Sequence, residues 1–406
     1  MSAQKRREKG TGTITQMPDG RFRARLHYIS NTDGSTREKR KICKTEAEAN
    51  RTIKAWTKEL AQETYIDVKK ESVEKFMTNW LVNFKKPDLK PTSYDRLELT
   101  LNNHIFPQLG KMQMGAMSAD TIQQHLAKLQ KDGKSYSTIK KVYDALNACF
   151  KWGVAGRKLQ YNPMDAVNLP GSSKIKKSNK KKNTKNNIKF FKPDEQDKLI
   201  AAAISKYPNG TPIYRFGYAI PLLLNTGLRL GELLALQWNR DVDWENRSLR
   251  VDNSIVVIKN RNSDTDAKTV LLAQDSVKSD AGERTVYLND EAIDALHHLH
   301  DLTGNQTYVI STKNNQPAQP SNIERLLRTA RKRAGLPDGT NLGPHALRHS
   351  FATNLFRQGV DVKVISEILG HADAGVTMNI YMHVMEDQKQ AALVKISERK
   401  QQQENA

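Results

Sequence analysis

Pro344-His345-Ala346-Leu347-Arg348-His349-Ser350-Phe351-Ala352-Thr353 sets a histidine and an arginine three residues apart, on one side of a helix start, and leaves Leu347 and Phe351 to bury the other side. Upstream, Asn225-Thr226-Gly227-Leu228-Arg229-Leu230-Gly231-Glu232-Leu233 carries Arg229 out of a turn to the start of a second helix, whose apolar residues run on through Leu234 and Leu236. An arginine beside a helix N-terminus is well placed to bind an anion. Between the two, Val277-Lys278-Ser279-Asp280-Ala281-Gly282-Glu283-Arg284-Thr285 puts Lys278 ahead of a hairpin-like turn into a strand. Downstream come Leu369-Gly370-His371 and Met378-Asn379-Ile380-Tyr381-Met382-His383. Gly370 reads as the residue that ends a helix running from Val362 to Leu369. Singly, each stretch has an ordinary reading: a surface arginine, a solvated lysine, a tyrosine in an apolar face.

Around these stretches, 190–390 reads as one domain of helices with a small antiparallel sheet. Helices are expected at 194–204, 228–237, 290–302, 320–334, 346–358 and 361–369. Leu249-Val251 and Ile255-Ile258 are expected to form one hairpin, and Arg284 to Leu288 a further strand. The preceding stretch, GSSKIKKSNKKKNTKNNIK at 171–189, has no core-forming pattern and reads as an extended basic linker. Residues 66–170 read as a helical bundle. Val73, Phe76, Met77, Trp80, Leu81 and Phe84 are spaced as one face, Tyr94, Leu97, Leu101 and Ile105 as another, Ile122, Leu126 and Leu129 as a third, and Ile139, Val142, Tyr143, Leu146 and Phe150 as a fourth. Asp132-Gly133-Lys134-Ser135 lacks the upstream glycine of a phosphate-binding loop and reads as a plain loop.

Residues 1–65 hold 15 Lys/Arg against 8 Asp/Glu. Thr11 to Met17, Arg21 to Tyr28 and Thr36 to Cys43 read as three strands, with turns at Pro18-Asp19-Gly20 and Asn31 to Ser35. Thr45 caps a helix with Ala49, Ile53, Trp56 and Leu60 on one face. In the second strand Phe22, Ala24, Leu26 and Tyr28 share one face, and Arg21, Arg23 and Arg25 the other. Such a row is either a solvated face or a DNA contact. The mutual repulsion of three like charges on one short strand favours the contact with phosphates and a groove.

The whole chain has 406 residues and a formal net charge of +21. The length implies several domains, and the charge implies a polyanionic partner. The longest apolar stretch, Phe216 to Leu224, is far shorter than the roughly 20 residues a membrane span needs. The N-terminus has no apolar core behind its charges, so no secretory signal is read there. Cys43 and Cys149 are the only cysteines, which excludes a disulfide framework and fits a reducing compartment.

Together and in this order, T-G-L-R-x-G-E-L, a hairpin lysine, H-x-L-R-H and L-G-H-x9-Y resemble the catalytic domain of tyrosine recombinases: phage and conjugative-transposon integrases and chromosome-dimer recombinases. The resemblance implies a multidomain, mainly α protein with small β-sheets. Its parts would be an arm-type DNA-binding module at 1–65, a SAM-like core-binding domain at 66–170, an α+β catalytic domain at 190–390 and a tail at 391–406. It implies Arg229, Arg348, His345 and His371 on the scissile phosphate, Lys278 as the acid for the leaving oxygen, Tyr381 as the nucleophile and Glu232 as a buttress for the arginines. No cofactor and no metal is called for. The implied partners are double-stranded DNA attachment sites, core and arm, bound by a homotetramer. An accessory excision factor or a host DNA-bending protein would assist. The implied place is the cytoplasm of a bacterial host. The residues after His371 depart from the usual serine-rich stretch, being Ala-Asp-Ala-Gly, without touching a catalytic position.

Other classes fit less well. A metal-dependent nuclease needs clustered carboxylates; Asp241 and Asp243 are the nearest pair, and no third ligand is evident. His297, His298 and His300 fall on an expected surface helix. A type IB topoisomerase shares the Arg/Lys/His/Tyr chemistry without needing the N-terminal module, and a housekeeping recombinase normally lacks that module. Residues 1–65 therefore favour a mobile-element integrase, of phage or conjugative transposon.

Overall fold

The computed structural model describes residues 12–29, 36–61, 71–170, 189–262, 266–275, 283–336, 342–371, 375 and 377–378. Its contacts divide the chain into two units, Met1–Thr184 and Lys185–Ala406. The basic stretch expected as a linker lies almost wholly outside the described residues.

In the first unit, β1 (Thr13–Gln16), β2 (Phe22–Ile29) and β3 (Thr36–Cys43) form an antiparallel sheet in that order, and α1 (Glu46–Ala61) packs on it. The Thr45 hydroxyl accepts the Glu48 N–H at 3.2 Å, the expected cap. Ala24, Leu26, Cys43, Ala49 and Ile53 are buried, with Phe22 and Trp56 packed against that core. The opposite face differs from the expected row. Arg21 precedes β2 and turns back to Asp19, with its Nε at 2.8 Å from the carboxylate. Arg23 and Arg25 remain on the strand. Arg40 of β3 lies directly across from Arg25, a third basic position that sequence periodicity on one strand does not show.

The helical part comprises α2 (Val73–Trp80), α3 (Pro91–Thr100), α4 (Ala119–Lys131) and α5 (Tyr136–Ala155). Val73, Phe76, Met77, Trp80 and Leu81 are buried as expected, but Phe84 is 45% exposed. The cause is a π-helical turn over Leu81–Lys85. Such a turn inserts a residue and rotates the side chains beyond it off the buried face; the Phe84 ring instead lies 4.5 Å from that of Trp152. Gly133 takes the left-handed conformation, and the Ser135 hydroxyl caps α5 by accepting the Thr138 N–H at 3.2 Å, consistent with a connecting loop.

The second unit is built on a helix that sequence periodicity does not show, α7 (Ala219–Thr226), every residue of which except Asn225 is buried. Around it stand α6 (Pro193–Ala203), α8 (Leu230–Ala235), α9 (Asp290–Thr303), α10 (Pro320–Arg333), α11 (Pro344–Arg357) and α12 (Val362–Leu369). The expected hairpin of Leu249-Val251 with Ile255-Ile258 does not form. β4 (Val242–Asp243), β5 (Ser248–Val251) and β8 (Arg284–Tyr287) make one antiparallel sheet, while β6 (Asn253–Lys259) pairs with β7 (Thr269–Asp275). The single residue Asp252 between β5 and β6 is too short a link for a hairpin turn, which needs at least two. The chain therefore passes from one sheet to the other. Asp241 is buried: its carboxylate accepts the Gln237 N–H at 2.9 Å and pairs with Arg240 at 2.7 Å. His297, His298 and His300 are exposed on α9, where the His297 ring stacks on Trp244 at 4.8 Å and His298 on Tyr218 at 4.0 Å.

Candidate active site

Two left-handed glycines set the geometry. Gly227 (φ 64°) ends α7 and Gly370 (φ 64°) ends α12. A Cβ on Gly227 would stand 2.3 Å from the Phe351 ring and 2.9 Å from Leu369, so only glycine lets the α7–α8 turn close against α11 and α12. Gly231, one turn on, is held by a second close approach: a Cβ there would meet the Ser254 hydroxyl at 2.4 Å. The two glycines of the T-G-L-R-x-G-E-L pattern are thus packing requirements.

Arg229 is the N-cap residue of α8. Its backbone N–H donates to the Glu232 carboxylate at 2.9 Å, and its guanidinium donates to the same carboxylate at 2.6 Å. The first of these contacts is the reciprocal half of a capping box. A second guanidinium N–H reaches the Gly370 carbonyl at 2.9 Å. Arg348, on α11, is only 2% exposed, a burial that its sequence context does not announce. It donates to the carbonyls of Gly227, at 2.8 Å, and Leu369. Glu232 is 1% exposed. Burial alone would raise its pKa, but hydrogen bonds and charge from Arg284, then Arg229, overcome this and hold it down at about 2.

Arg284, the first residue of β8, reads in the sequence only as a strand residue. Its side chain is 7% exposed. It donates to both Glu232 carboxylate oxygens, at 3.2 and 2.8 Å, and through Nε to the Ile368 carbonyl at 2.8 Å. A signal is present: residues i and i+2 of a strand share a face, and Val286 is buried.

Three histidines complete the described site. His345, in the first turn of α11, is exposed. Packing around its ring, then the charges of Arg348 and Arg229, nevertheless lower its pKa. The ring of His349 meets it edge-on at 4.9 Å. Burial pushes His349 down to about 4, aided by His345 and Arg348. His371 falls to about 3, by burial and then by Arg348 and Arg229. Its Nδ1 shares a hydrogen bond of 2.7 Å with the hydroxyl of the fully buried Thr377. Burial, then Arg229, lowers even the Arg348 pKa to about 9. Burial leads each of these shifts and the neighbouring cations add to it. Arg229, Arg284 and Arg348 gather around the single carboxylate of Glu232, an excess of positive charge that an anion would relieve.

Arg229, Glu232, His345, Arg348 and His371 are therefore brought to one end of the domain. Lys278 and Tyr381 lie outside the described residues, as does the tail expected at 391–406. Among the described residues, no group of three His, Cys, Asp or Glu is placed to hold a metal ion, and no helix is long and apolar enough to cross a membrane.

The phage integrase family model matches residues 189–388, and the model of the phage integrase N-terminal SAM-like domain matches 72–130; the two together span more than half of the chain. A tyrosine recombinase XerC-like protein of Caldanaerobacter subterraneus subsp. tengcongensis is 29% identical over 371 residues, covering 86% of this chain and 89% of that protein. The transposase from transposon Tn916 of Enterococcus faecalis is 25% identical over 323 residues, 75% of this chain and 73% of that one. Among solved structures, a lambda integrase tetramer bound to a Holliday junction shares the fold, with a TM-score of 0.54 and 17% identity over 92% of this chain and 96% of that one. With its paired arginines, its histidines and both of these domain models matched, the chain belongs to the phage integrase family of tyrosine recombinases.

Proposed function

We propose that this recombinase is the integrase of a mobile element, phage or conjugative transposon, and that it cuts and rejoins attachment-site DNA through Tyr381 with no metal and no ATP. The observation that carries the reading is the arginine pair: Arg229 and Arg348 are fixed to the adjacent carbonyls of Gly370 and Leu369, beside His371 and in a site short of negative charge. A phosphodiester is anionic and its transition state more so, so preset cations there are the main source of rate. Each guanidinium has five N–H donors and gives two of its side-chain bonds to protein partners, leaving donors for non-bridging oxygens.

The Tyr381 oxygen attacks phosphorus, its proton passing to neutral His345, whose lowered pKa keeps it a base at neutral pH. The P–O5′ bond breaks and Lys278 protonates the departing 5′ oxygen, leaving a 3′-phosphotyrosyl link. A 5′-hydroxyl from the partner strand reverses these steps, so bond energy is retained and strands exchange through a Holliday junction. With the Thr377 hydroxyl donating to Nδ1, His371 holds its proton on Nε2 and donates it to the phosphate. Glu232 holds the arginines. The bundle and the catalytic domain would grip the core site, the 1–65 module an arm site, and a homotetramer would pair two cores. An excision factor or a DNA-bending protein of the bacterial host would set direction, in the cytoplasm. Similarity to the Tn916 transposase and the N-terminal sheet support the mobile-element reading over a housekeeping role.

The test is a nicked duplex spanning the junction of element and host DNA, incubated with the protein and run on a denaturing gel. A covalent adduct is expected with the wild type and none with Tyr381→Phe, which should still bind the duplex. An adduct formed by Tyr381→Phe removes the mechanism.

A further inference from the structure

The end of α12 is capped in an unusual way. A helix leaves its last carbonyls without intrahelical partners. Here the Glu367 and Ser366 carbonyls accept backbone N–H groups from Gly370 and His371 at 3.0 and 3.1 Å. The next three, Ile368, Leu369 and Gly370, each accept from a different arginine: Arg284, Arg348 and Arg229. These arginines come from β8, α11 and the start of α8. Negative partial charge gathers at a helix C-terminus, so three cations there are electrostatically consistent, and Glu232 bridges two of them.

The three are not equivalent. Arg229 is 38% exposed and gives two side-chain hydrogen bonds to the protein. Arg284 is 7% exposed and gives three, two to Glu232 and one to Ile368. Buried and fully turned inward, it is unsuited to meeting DNA. Its contacts instead join the carboxylate that holds Arg229 to the helix end that holds Arg348.

We propose that Arg284 is a positioning residue for phosphate recognition: it locks Glu232 to the end of α12 and so fixes the spacing of Arg229 and Arg348. The proposal rests on the reading of those two arginines as phosphate ligands. Without Arg284, Glu232 and Arg229 still pair with each other, but the pair loses its tie to the α12 end through Ile368. Arg229 then keeps its charge and its own bond to the Gly370 carbonyl, but its second anchor, Glu232, is no longer fixed to α12, and its register loosens. A displacement of about 1 Å in a catalytic group costs on the order of 100-fold in rate.

The experiment uses the full chain, the same nicked junction duplex, and that duplex with a methylphosphonate at the scissile position. The methyl group removes one non-bridging charge, so the reaction needs less from placed cations. Arg284→Gln is expected to bind the duplex within about 3-fold of wild type and to form adduct about 10- to 100-fold more slowly. On the methylphosphonate its rate is expected to come within about 3-fold of wild type. Arg284→Lys, which keeps the charge but cannot reach Glu232 and Ile368 together, is expected to fall between the two, and it carries the test if Arg284→Gln does not fold. Rates equal to wild type overturn the proposal. So does an equal loss on both substrates, because a general weakening of the fold slows both alike. If the wild type itself forms no adduct, it is the reading of the site that fails. A normal wild-type adduct with unaffected Arg284 variants removes the positioning role alone.

Discussion

Replacing Glu232 by Gln removes the carboxylate that Arg229 and Arg284 share while leaving the side chain's shape. Glu232 is 1% exposed and the Arg284 side chain 7%, so this is a buried ion pair. Removing one partner of such a pair costs about 3–5 kcal/mol, because the other charge stays buried and unpaired. An amide oxygen can still accept one or two of the hydrogen bonds, so about 3 kcal/mol is the expected loss. The exposed Arg229 contributes little to that figure, since solvent screens it. For a unit of roughly 200 residues, each kcal/mol lowers Tm by about 2–4 °C, which gives a drop of about 6–12 °C. The loss should be selective. Three guanidiniums then converge on the α12 end with no carboxylate among the residues that bind them, and an anion replaces part of what was removed. Sulfate or duplex DNA should therefore raise the Tm of Glu232→Gln more than that of wild type, in a thermal melt run with and without each. A Tm unchanged to within about 2 °C, or equal stabilisation of both proteins by the anion, would refute this account of what Glu232 does.

Gly227→Ala should be destabilised by at least about 1 kcal/mol from left-handed backbone alone, with the Phe351 ring forced aside as well; a lowered Tm and slowed adduct formation are expected, and a variant melting with wild type would count against the close approach. Changing Arg21, Arg23 and Arg25 together to Ala should leave the adduct on a core-site duplex intact and abolish recombination between full attachment sites, with binding by residues 1–65 falling steeply as salt rises; recombination at the wild-type rate would make the sheet face merely solvated. His349 and His371 have folded pKa values near 4 and 3, below the usual 6.5, so their contribution to stability is complete above about pH 6.5 and is lost as pH falls through 4 to 3. Bound phosphate should raise both values, so melts at pH 5 to 8 should show DNA stabilising the protein more at the acid end, and a constant DNA effect over that range would exclude it.

Where a buried face alternates with a solvated one, the sequence carries a period, and those elements were legible. The β2 strand, α1 and the faces of the bundle, Phe84 apart, follow from spacing alone, as do the caps at Thr45 and Gly370. α7 has no such period, because it is apolar on every side and lies inside the core. The pairing of β6 with β7 was hidden for a related reason. Half-buried strands announce their face and not their partner, and the nearest apolar run in sequence was the wrong one. Phe84 left its expected face because a π turn is a local defect in the 3.6-residue period, and only the surrounding packing reveals it.

The site divides along the same line. Arg229, His345, Arg348 and His371 could be singled out because the proposed chemistry calls for those residue types at fixed places, and the fold needs Gly227, Gly231 and Gly370 around them. What holds the arginines in place leaves no such mark. Their partners are mostly backbone carbonyls, which every residue possesses, so Ile368, Leu369 and Gly370 could have any side chains and do the same work. Arg348 shows the consequence. An arginine 2% exposed reads from sequence as polar and therefore as surface, yet its burial is the result of two carbonyls that replace water around the guanidinium. The same desolvation pulls its pKa to about 9, still high enough to keep it cationic at neutral pH. A buried cation with spare donors is paid for by the backbone in the free protein, and in the proposed mechanism its remaining partner is the substrate phosphate.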